Sequence, residues 1–454
     1  MGTANSENDA SAHDARLKRA ISKPLLVLFV TGDILGAGIY AVAGQIAGQV
    51  GGAIWAPMLV AFALALLTAM SYAELVTKYP QAAGAALYVH KAFGRSFLTF
   101  IVAIAVMASG ISSASTSALA FGGDYLSHFV SVPQILAAVL FLLVLAIINY
   151  RGISESVKLN LGLTIIEASG LFIVIIIGIV ALAGGFGDVS RAFEFKSGVS
   201  VPLAILSGTA LAFFSFVGFE DSVNVAEETQ NPRRIYPFAL FTGLTIALIF
   251  YLLVVFTAAV IVPTDRLAGS SAPLLEVVRI GAPMFPSNAF ALMALFAVTN
   301  TALINLIMAS RLLYGLSNQG IIPAVFARVH IKRRTPWVAI IVVTAIAIAL
   351  VSTGTIGALA GTTVLLLLSV FTLVNISVLA LRRDRIEAQH YHAPTFVPVL
   401  GAASSAGLVM FTIANDPLAA LRACVLVGLG AVLWFINRAF HERAKSIDVE
   451  RLDI

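Results

Sequence analysis

A succession of apolar runs, each about as long as a bilayer is thick, restricts this chain more than any other feature. A helix rising 1.5 Å per residue needs about 20 apolar residues to cross a hydrocarbon core about 30 Å thick. Windows of that size fall at 25–45, 55–75, 97–119, 132–150, 161–183 and 199–220 in the first half. The second half adds 238–262, 289–313, 337–353, 356–381, 396–413 and 418–440. Runs such as IIEASGLFIVIIIGIVALAG are continuous, without the alternating polar residues of a membrane barrel. The expectation is an all-α integral membrane protein with twelve transmembrane helices. The softest boundary is the tenth, where only Gly354 and Thr355 separate two long runs.

Composition closes off the other classes. Only 11% of the 454 residues are charged and 59% are hydrophobic, where a soluble domain has about a quarter charged. The mean hydropathy is +0.97. Such a chain cannot cover its apolar surface in water, which excludes a soluble enzyme or a nucleic-acid-binding protein. The single cysteine, Cys424, excludes a disulfide framework or a Cys-rich metal site. The seven histidines are scattered without ligand spacing, so no metal site is expected. There is no phosphate-cradling glycine loop, so ATP is not the energy source. No nucleophile–base pair suggests an enzyme, and no cofactor is expected.

An even number of spans puts both termini on one side. With the spans as drawn, 23 of the 28 Lys and Arg residues fall on that side and 5 on the other. The excess of basic residues in cytoplasmic loops places both ends in the cytoplasm of a cell (plasma or inner) membrane. Residues 1–22 and 441–454 read as charged cytoplasmic tails, and the first apolar run reads as a retained helix, not a signal peptide.

Two spans carry signals against an unbroken helix. The first contains Gly32-Asp33-Ile34-Leu35-Gly36-Ala37-Gly38-Ile39-Tyr40, three glycines in seven residues with an acid among them. The sixth contains Ser207-Gly208-Thr209 and then Phe213-Phe214-Ser215-Phe216-Val217-Gly218-Phe219-Glu220-Asp221, which predicts an interruption near its middle. The glycines serve either close helix packing or a broken backbone. The two spans lie five apart, and a repeat of five spans inserts upside down relative to its partner. Paired broken helices at matching places in inverted halves mark a midplane binding site in a secondary transporter. Half-helix N-termini offer N–H groups to a carboxylate, and unwound carbonyls receive an ammonium.

Several segments carry a family resemblance over most of the chain. They are GDILGAGIY in the first span, Tyr72-Ala73-Glu74-Leu75 in the second and PQAAGAALYVHKAFG after it. FFSFVGFEDSVNVAEETQNPRRIYP lies in the sixth span and its loop, and Arg311-Leu312-Leu313-Tyr314-Gly315-Leu316-Ser317 with Gly320 and Pro323 closes the eighth. The chain resembles the amino acid–polyamine–organocation transporters, and is most similar to their cationic-amino-acid-transporter-like and bacterial permease branches. The resemblance implies a five-plus-five inverted repeat, 23–185 and 196–382, with two added helices in 394–440. It implies alternating-access transport of amino acids or amines, by a monomer or homodimer in the lipid bilayer. By position, Gly36, Ala37 and Gly38 would meet the substrate carboxylate, with Ile34 also among the substrate-binding residues. The stretch Phe213, Phe214, Ser215, Phe216, Val217 and Gly218 would offer carbonyls to its amine, with Phe214 also as an aromatic lid. The chain departs from its relatives at Asp33, where they carry a small residue, and at Glu167, where a proton-coupled branch has a lysine.

An acid within a bundle is expensive and is by default a functional candidate. Asp33 lies about 12 Å and Glu167 about 14 Å from the cytoplasmic edge of their spans, near the midplane. Glu167 is either a protonatable coupling group or a hydrogen-bonded structural acid. Asp33 is either a counter-charge, a second proton site or a partner for broken backbone. Glu220 and Asp221 either gate the site or pair with Arg233 or Arg234, while Glu74 reads as structural. Glu227 and Glu228 beside those arginines read as a solvated charge cluster. In the eighth span Thr299, Asn300, Thr301 and Asn305 form a polar stripe that lines a cavity or bonds across helices, with Asn300 the candidate for substrate contact. The leading expectation is proton-coupled uptake of a neutral amino acid, with sodium as the other driving ion. The alternative is a carrier or exchanger of a cationic amino acid, polyamine or other organic amine.

Overall fold

Every predicted apolar run becomes helical, because in hydrocarbon each backbone N–H and C=O must be satisfied within its own segment. The computed structural model describes residues 21–81, 84–152, 157–226, 228–384, 386 and 389–440. Residues 1–20 of the tail expected at 1–22, the whole tail expected at 441–454, and Glu227 lie outside the described residues. The helices are α1 Lys23–Leu35, α2 Gly38–Val50, α3 Trp55–Lys78, α4 Gly84–Phe93 and α5 Ser96–Ala120. They continue as α6 Gln134–Arg151, α7 Val157–Ala183, α8 Val201–Phe216, α9 Pro232–Ile261, α10 Thr264–Gly269 and α11 Pro273–Gly281. The last are α12 Ser287–Asn318, α13 Trp337–Thr353, α14 Ile356–Leu381, α15 Phe396–Asn415 and α16 Pro417–Phe440.

Ten of these helices are long and apolar enough to cross a bilayer, and the bent pair α1–α2 makes an eleventh span. At the ninth predicted position stands α13, an apolar helix of 17 residues. The boundary between α13 and α14 falls at Gly354 and Thr355, where the Thr355 hydroxyl caps α14 by accepting from Ala358 N–H. Among the described residues the only β pairing is two isolated bridges, Ile21 with Thr229 and Gly51 with Phe195. Ile165, Phe172, Ile176 and Ile179 are exposed along one face of α7, as a lipid-facing stripe requires.

The packing repeats itself. Helix α1 lies on α9 as α8 lies on α3, and α1 on α7 as α8 on α14. Helix α5 lies on α14 as α12 on α7, and α5 on α13 as α12 on α6. Each pair maps onto its counterpart when every span is exchanged with the one five later. The short helices obey the same exchange. Helix α4 packs on α14 and on the 3₁₀ turn after α8, while α11 packs on α7 and α10 on α2.

Two interruptions define the centre. Helix α1 stops at Leu35 and α2 starts at Gly38, with a bend of 41° between them. The sixth span corrects the expectation of a mid-helix break. It is α-helical through Ser207, Gly208, Phe213 and Phe216, and opens only at Val217 (ψ 139°) and Gly218 (φ +124°). Beyond lies a 3₁₀ turn, Asp221–Val225. The physical reason is local: a φ of +124° is available to glycine alone, whereas the Phe and Ser residues before it pack well as helix. A further departure, with no counterpart in the sequence expectations, is a kink at Phe121–Tyr125 that ends the third span, where Gly123 leaves helical geometry (φ −81°, ψ −145°).

Glu74, read from sequence as structural, is tied to two other segments. Arg382 at the end of α14 grips it with Nε–Oε1 at 2.9 Å and Nη2–Oε2 at 2.8 Å, and Ala393 N–H donates to Oε2. Lys78 donates to the carbonyls of Leu381 and Asp384. The end of α3 is thereby fastened to α14 and to the segment that leads into α15.

Candidate substrate site

The two interruptions meet backbone to backbone. A Cβ on Gly218 would stand 2.6 Å from the Asp33 carbonyl oxygen, and one on Gly38 would stand 2.8 Å from Ser215 Cα. Only glycine permits that approach. In an unbroken helix the carbonyls of Ile34 and Ser215 would accept from the residues four ahead. Here both point at one hydroxyl: Tyr251 Oη on α9 lies 2.6 Å from Ile34 O and 2.8 Å from Ser215 O. A phenol has one proton to donate, so it serves one of the two carbonyls at a time. On the other strand of the break, Ala37 N–H donates to Thr301 Oγ1 on α12 at 2.9 Å, and Gly36 N–H reaches back to Gly32 O at 3.3 Å. Because α2 begins at Gly38, the N–H groups of its first turn have no partner inside the helix.

A cavity of about 570 Å³ lies against this junction, lined among others by Asp33, Gly36, Ala37, Ser215, Asn300 and Thr301. It shares Ser113, Val217, Asp221 and Asn305 with a second cavity of about 840 Å³. That one runs past Tyr72, Met107, Glu220 and Met308 to Gly84 on α4, toward the end of the bundle where both described chain ends lie. The linings hold three acids, Asp33, Glu220 and Asp221, and no Lys, Arg or His. Ser215 Oγ is buried beside the junction without a hydrogen-bond partner among the described residues.

The structure separates the predicted residues into three groups. Ile34, Gly36, Ala37, Gly38, Phe214, Ser215, Gly218, Asn300 and Asp33 line the smaller cavity. Phe213 and Phe216 do not: Phe213 packs edge-on against Phe371 with centroids 6.1 Å apart, and Phe216 lies between Phe62 and Tyr251. Helical periodicity turns these two away from the wall that Phe214 and Ser215 form. Glu220 lines the larger cavity, where its Oε2 accepts from Gly218 N–H at 3.0 Å. It does not pair with Arg233, whose Nε donates to the Thr77 carbonyl. Glu228 contributes its backbone carbonyl to Ile21 N–H.

Glu167 stands behind the cavity, fully buried on α7 where that helix tracks the broken span. Gly32 packs on Thr164, and Gly170 makes room for the Tyr40 ring, whose hydroxyl donates to the Glu167 carbonyl at 2.6 Å. Tyr125 donates in turn to the Tyr40 carbonyl at 3.1 Å. The Glu167 carboxylate accepts from Asn300 Nδ2, so one residue of α12 touches both the cavity and the buried acid. Among the described residues no ion pair involves Glu167, and no cluster of three or more metal-ligating side chains occurs.

Three residues were missed from sequence. Ser113 lies in the run SGISSASTSALA, an unusually polar stretch for a membrane helix, and that was a usable signal. Tyr40 and Tyr251 gave none, since a tyrosine within an apolar span is equally at home in a core.

Comparison with known proteins adds to this geometry. The family model described as amino acid permease matches residues 25–437. The chain is 31% identical over 330 residues to cationic amino acid transporter 9, chloroplastic, of Arabidopsis thaliana, covering 67% of this chain and 56% of that protein. It is 25% identical over 457 residues to the methylthioribose transporter of Bacillus subtilis, covering 95% and 96% of the two chains. It is 24% identical over 458 residues to the branched-chain amino acid permease BcaP of the same organism, covering 96% of each. Among solved structures, a histidine-to-alanine mutant of the Eremococcus coleocola manganese transporter superposes with a TM-score of 0.57. That match covers 94% of this chain and 95% of the other at 13% identity, a likeness of fold alone.

Proposed function

The chain belongs to the amino acid permease family, and from that premise we propose that it is a secondary transporter moving an amino acid across the cell membrane by alternating access, coupled to protons. The observation that carries the reading is the junction of two glycine-opened helices, whose residues Ile34, Gly36, Ala37, Gly38 and Ser215 line one cavity. A zwitterion needs both ends of that arrangement: peptide N–H groups at Gly36, Ala37 and Gly38 for its carboxylate, and carbonyls at Ile34 and Ser215 for its ammonium. The substrate carboxylate competes with Thr301 Oγ1 for Ala37 N–H, which ties binding to the position of α12. Glu167 is the proton site, because a buried carboxyl with one unsatisfied oxygen and no ion pair among the described residues can take up and release a proton without losing a partner. Asn300 relays between it and the cavity.

Both termini are cytoplasmic in this reading, so the larger cavity opens inward and the structure is the inward-facing state. The 23-to-5 distribution of basic residues supports that orientation. A second reading, transport of a cationic amino acid or polyamine, is supported by the lining: Asp33, Glu220 and Asp221 face the cavities without a basic residue among them.

Uptake into liposomes containing the purified protein tests both. Under an inward proton gradient, concentrative uptake of alanine or leucine that ignores putrescine supports the first reading, and uptake of lysine or putrescine alone supports the second. No accumulation of any amino acid or amine, with or without a gradient, removes both.

A further inference from the structure

We propose that His128 and Arg279 form a proton-sensitive latch that holds α10 and α11 down over α2. The inference rests on the alternating-access reading, in which this end of the bundle, opposite the chain ends, faces outside. Helices α10 and α11 join the seventh and eighth spans and lie across the outer half of the broken first span. Leu267 of α10 is fully buried, and its carbonyl presses so close to Gly44 that a Cβ there would stand 2.4 Å away. Any outward opening of the site beneath α2 therefore requires α10 and α11 to lift.

The segment after the third span pins them at two points. Asp124 is the first: its N–H donates to Ser271 Oγ, and its Oδ2 accepts from Ser271 N–H at 2.9 Å and Ser270 Oγ at 3.2 Å. His128 is the second. Its Nδ1 lies 2.7 Å from Arg279 Nη2, and its Nε2 lies 2.6 Å from Asn288 Oδ1 and 3.0 Å from Ser287 Oγ at the start of α12.

This geometry fixes the state of the ring. A guanidinium has only protons to offer, so Nδ1 must be the bare acceptor and Nε2–H the donor to Asn288. The imidazole is neutral in the latched form. A proton on Nδ1 would point at a nitrogen with no lone pair, and would set two like charges in contact. The other charged groups facing the pair do not relieve that. Glu276 is already shared, with Oε1 2.8 Å from Arg279 Nη1 and Oε2 2.6 Å from Arg266 Nε, so one carboxylate serves two guanidiniums. The Asp124 carboxylate is engaged with Ser270 and Ser271. Imidazole is the side chain whose charge ordinarily changes between about pH 5 and pH 8. Acid outside the membrane thus opens the latch from the side that supplies protons, a device separate from Glu167, which lies deep on α7.

Amide hydrogen exchange of the segment 264–281 in nanodisc-reconstituted protein tests this, with labelling times corrected for the intrinsic effect of pH. Protection in the unmodified protein should fall about tenfold between pH 7.5 and pH 5.5, the scale of one lost charged hydrogen bond. His128→Asn keeps an acceptor for Arg279 and cannot gain a proton, so its protection should be equal at the two pH values. His128→Arg at pH 7.5 should match the acid form. Equal protection of the unmodified protein at both pH values overturns the latch, as does an acid-induced loss that persists in His128→Asn. Equal protection of the unmodified protein overturns the latch even if a variant fails to fold, and either variant that folds assigns an acid-induced loss to His128 or away from it. Failure of the latch leaves liposome uptake untouched, whereas failure of uptake removes the transport reading itself.

Discussion

Asn300 Nδ2 lies 3.3 Å from Glu167 Oε1, and the other carboxylate oxygen, Oε2, is buried with no hydrogen-bond partner among the described residues. The acid is held by a neutral amide whose own residue lines the cavity. In the proposed mechanism, a proton on Glu167 and a substrate in the cavity would be read by the same side chain.

Glu167→Gln is expected to abolish proton-driven accumulation while sparing exchange of labelled for unlabelled substrate. The amide can still bond to Asn300 but carries no exchangeable charge. Concentrative uptake and counterflow in the same liposomes provide the comparison, and undiminished accumulation would take Glu167 out of the coupling role. The sign is set by the gradient: acid outside should raise accumulation in the unmodified protein and should not in the variant.

Gly36→Val is expected to eliminate substrate binding. A Cβ at this position already meets Thr301 Oγ1 at 3.0 Å, and two further methyl groups have only the cavity to occupy. Thermal stabilisation by the transported amino acid, present in the unmodified protein and absent in the variant, checks it. Normal binding would contradict the assignment of the junction as the site.

Tyr251→Phe is expected to leave the Ile34 and Ser215 carbonyls both without a donor, at about 1–3 kcal/mol for a buried group left unsatisfied. The unfolding temperature should fall, and substrate should restore more of it than in the unmodified protein, since an ammonium supplies the missing donor. A variant that unfolds like the unmodified protein would show that the hydroxyl does not hold the breaks together.

Glu74→Ala is expected to destabilise strongly, by about 3–5 kcal/mol, because it removes the counter-charge of the Arg382 guanidinium at the end of α14 and leaves it only the neutral Thr395 hydroxyl and Ala393 carbonyl. Replacing both residues with methionine should recover most of that loss. Unfolding midpoints of the single and double variants measure it, and equal losses would show that the pair is not the source.

Much of the architecture is legible in the chain itself. Helices α13 and α14, separated by two residues, begin and end where the apolar runs do, because a bilayer sets length by itself. The break in the first span is legible because three glycines in seven residues leave a helix few reasons to continue. The break in the sixth is misplaced from sequence, because Gly208 and Gly218 look alike there. Gly208 is accommodated within the helix beside Pro57, while Gly218 takes a positive φ and lies against the Asp33 backbone.

The chain alone determined that this is a helical membrane protein with paired weak points, since hydrophobic length and glycine content act residue by residue. Which phenylalanines face the cavity, that one tyrosine hydroxyl spans both freed carbonyls, and that His128 meets a guanidinium rather than a carboxylate were decided only by packing. Those relationships join segments up to 217 residues apart, as Ile34 and Tyr251 are. No local pattern encodes a contact whose partners approach each other only once the bundle has closed.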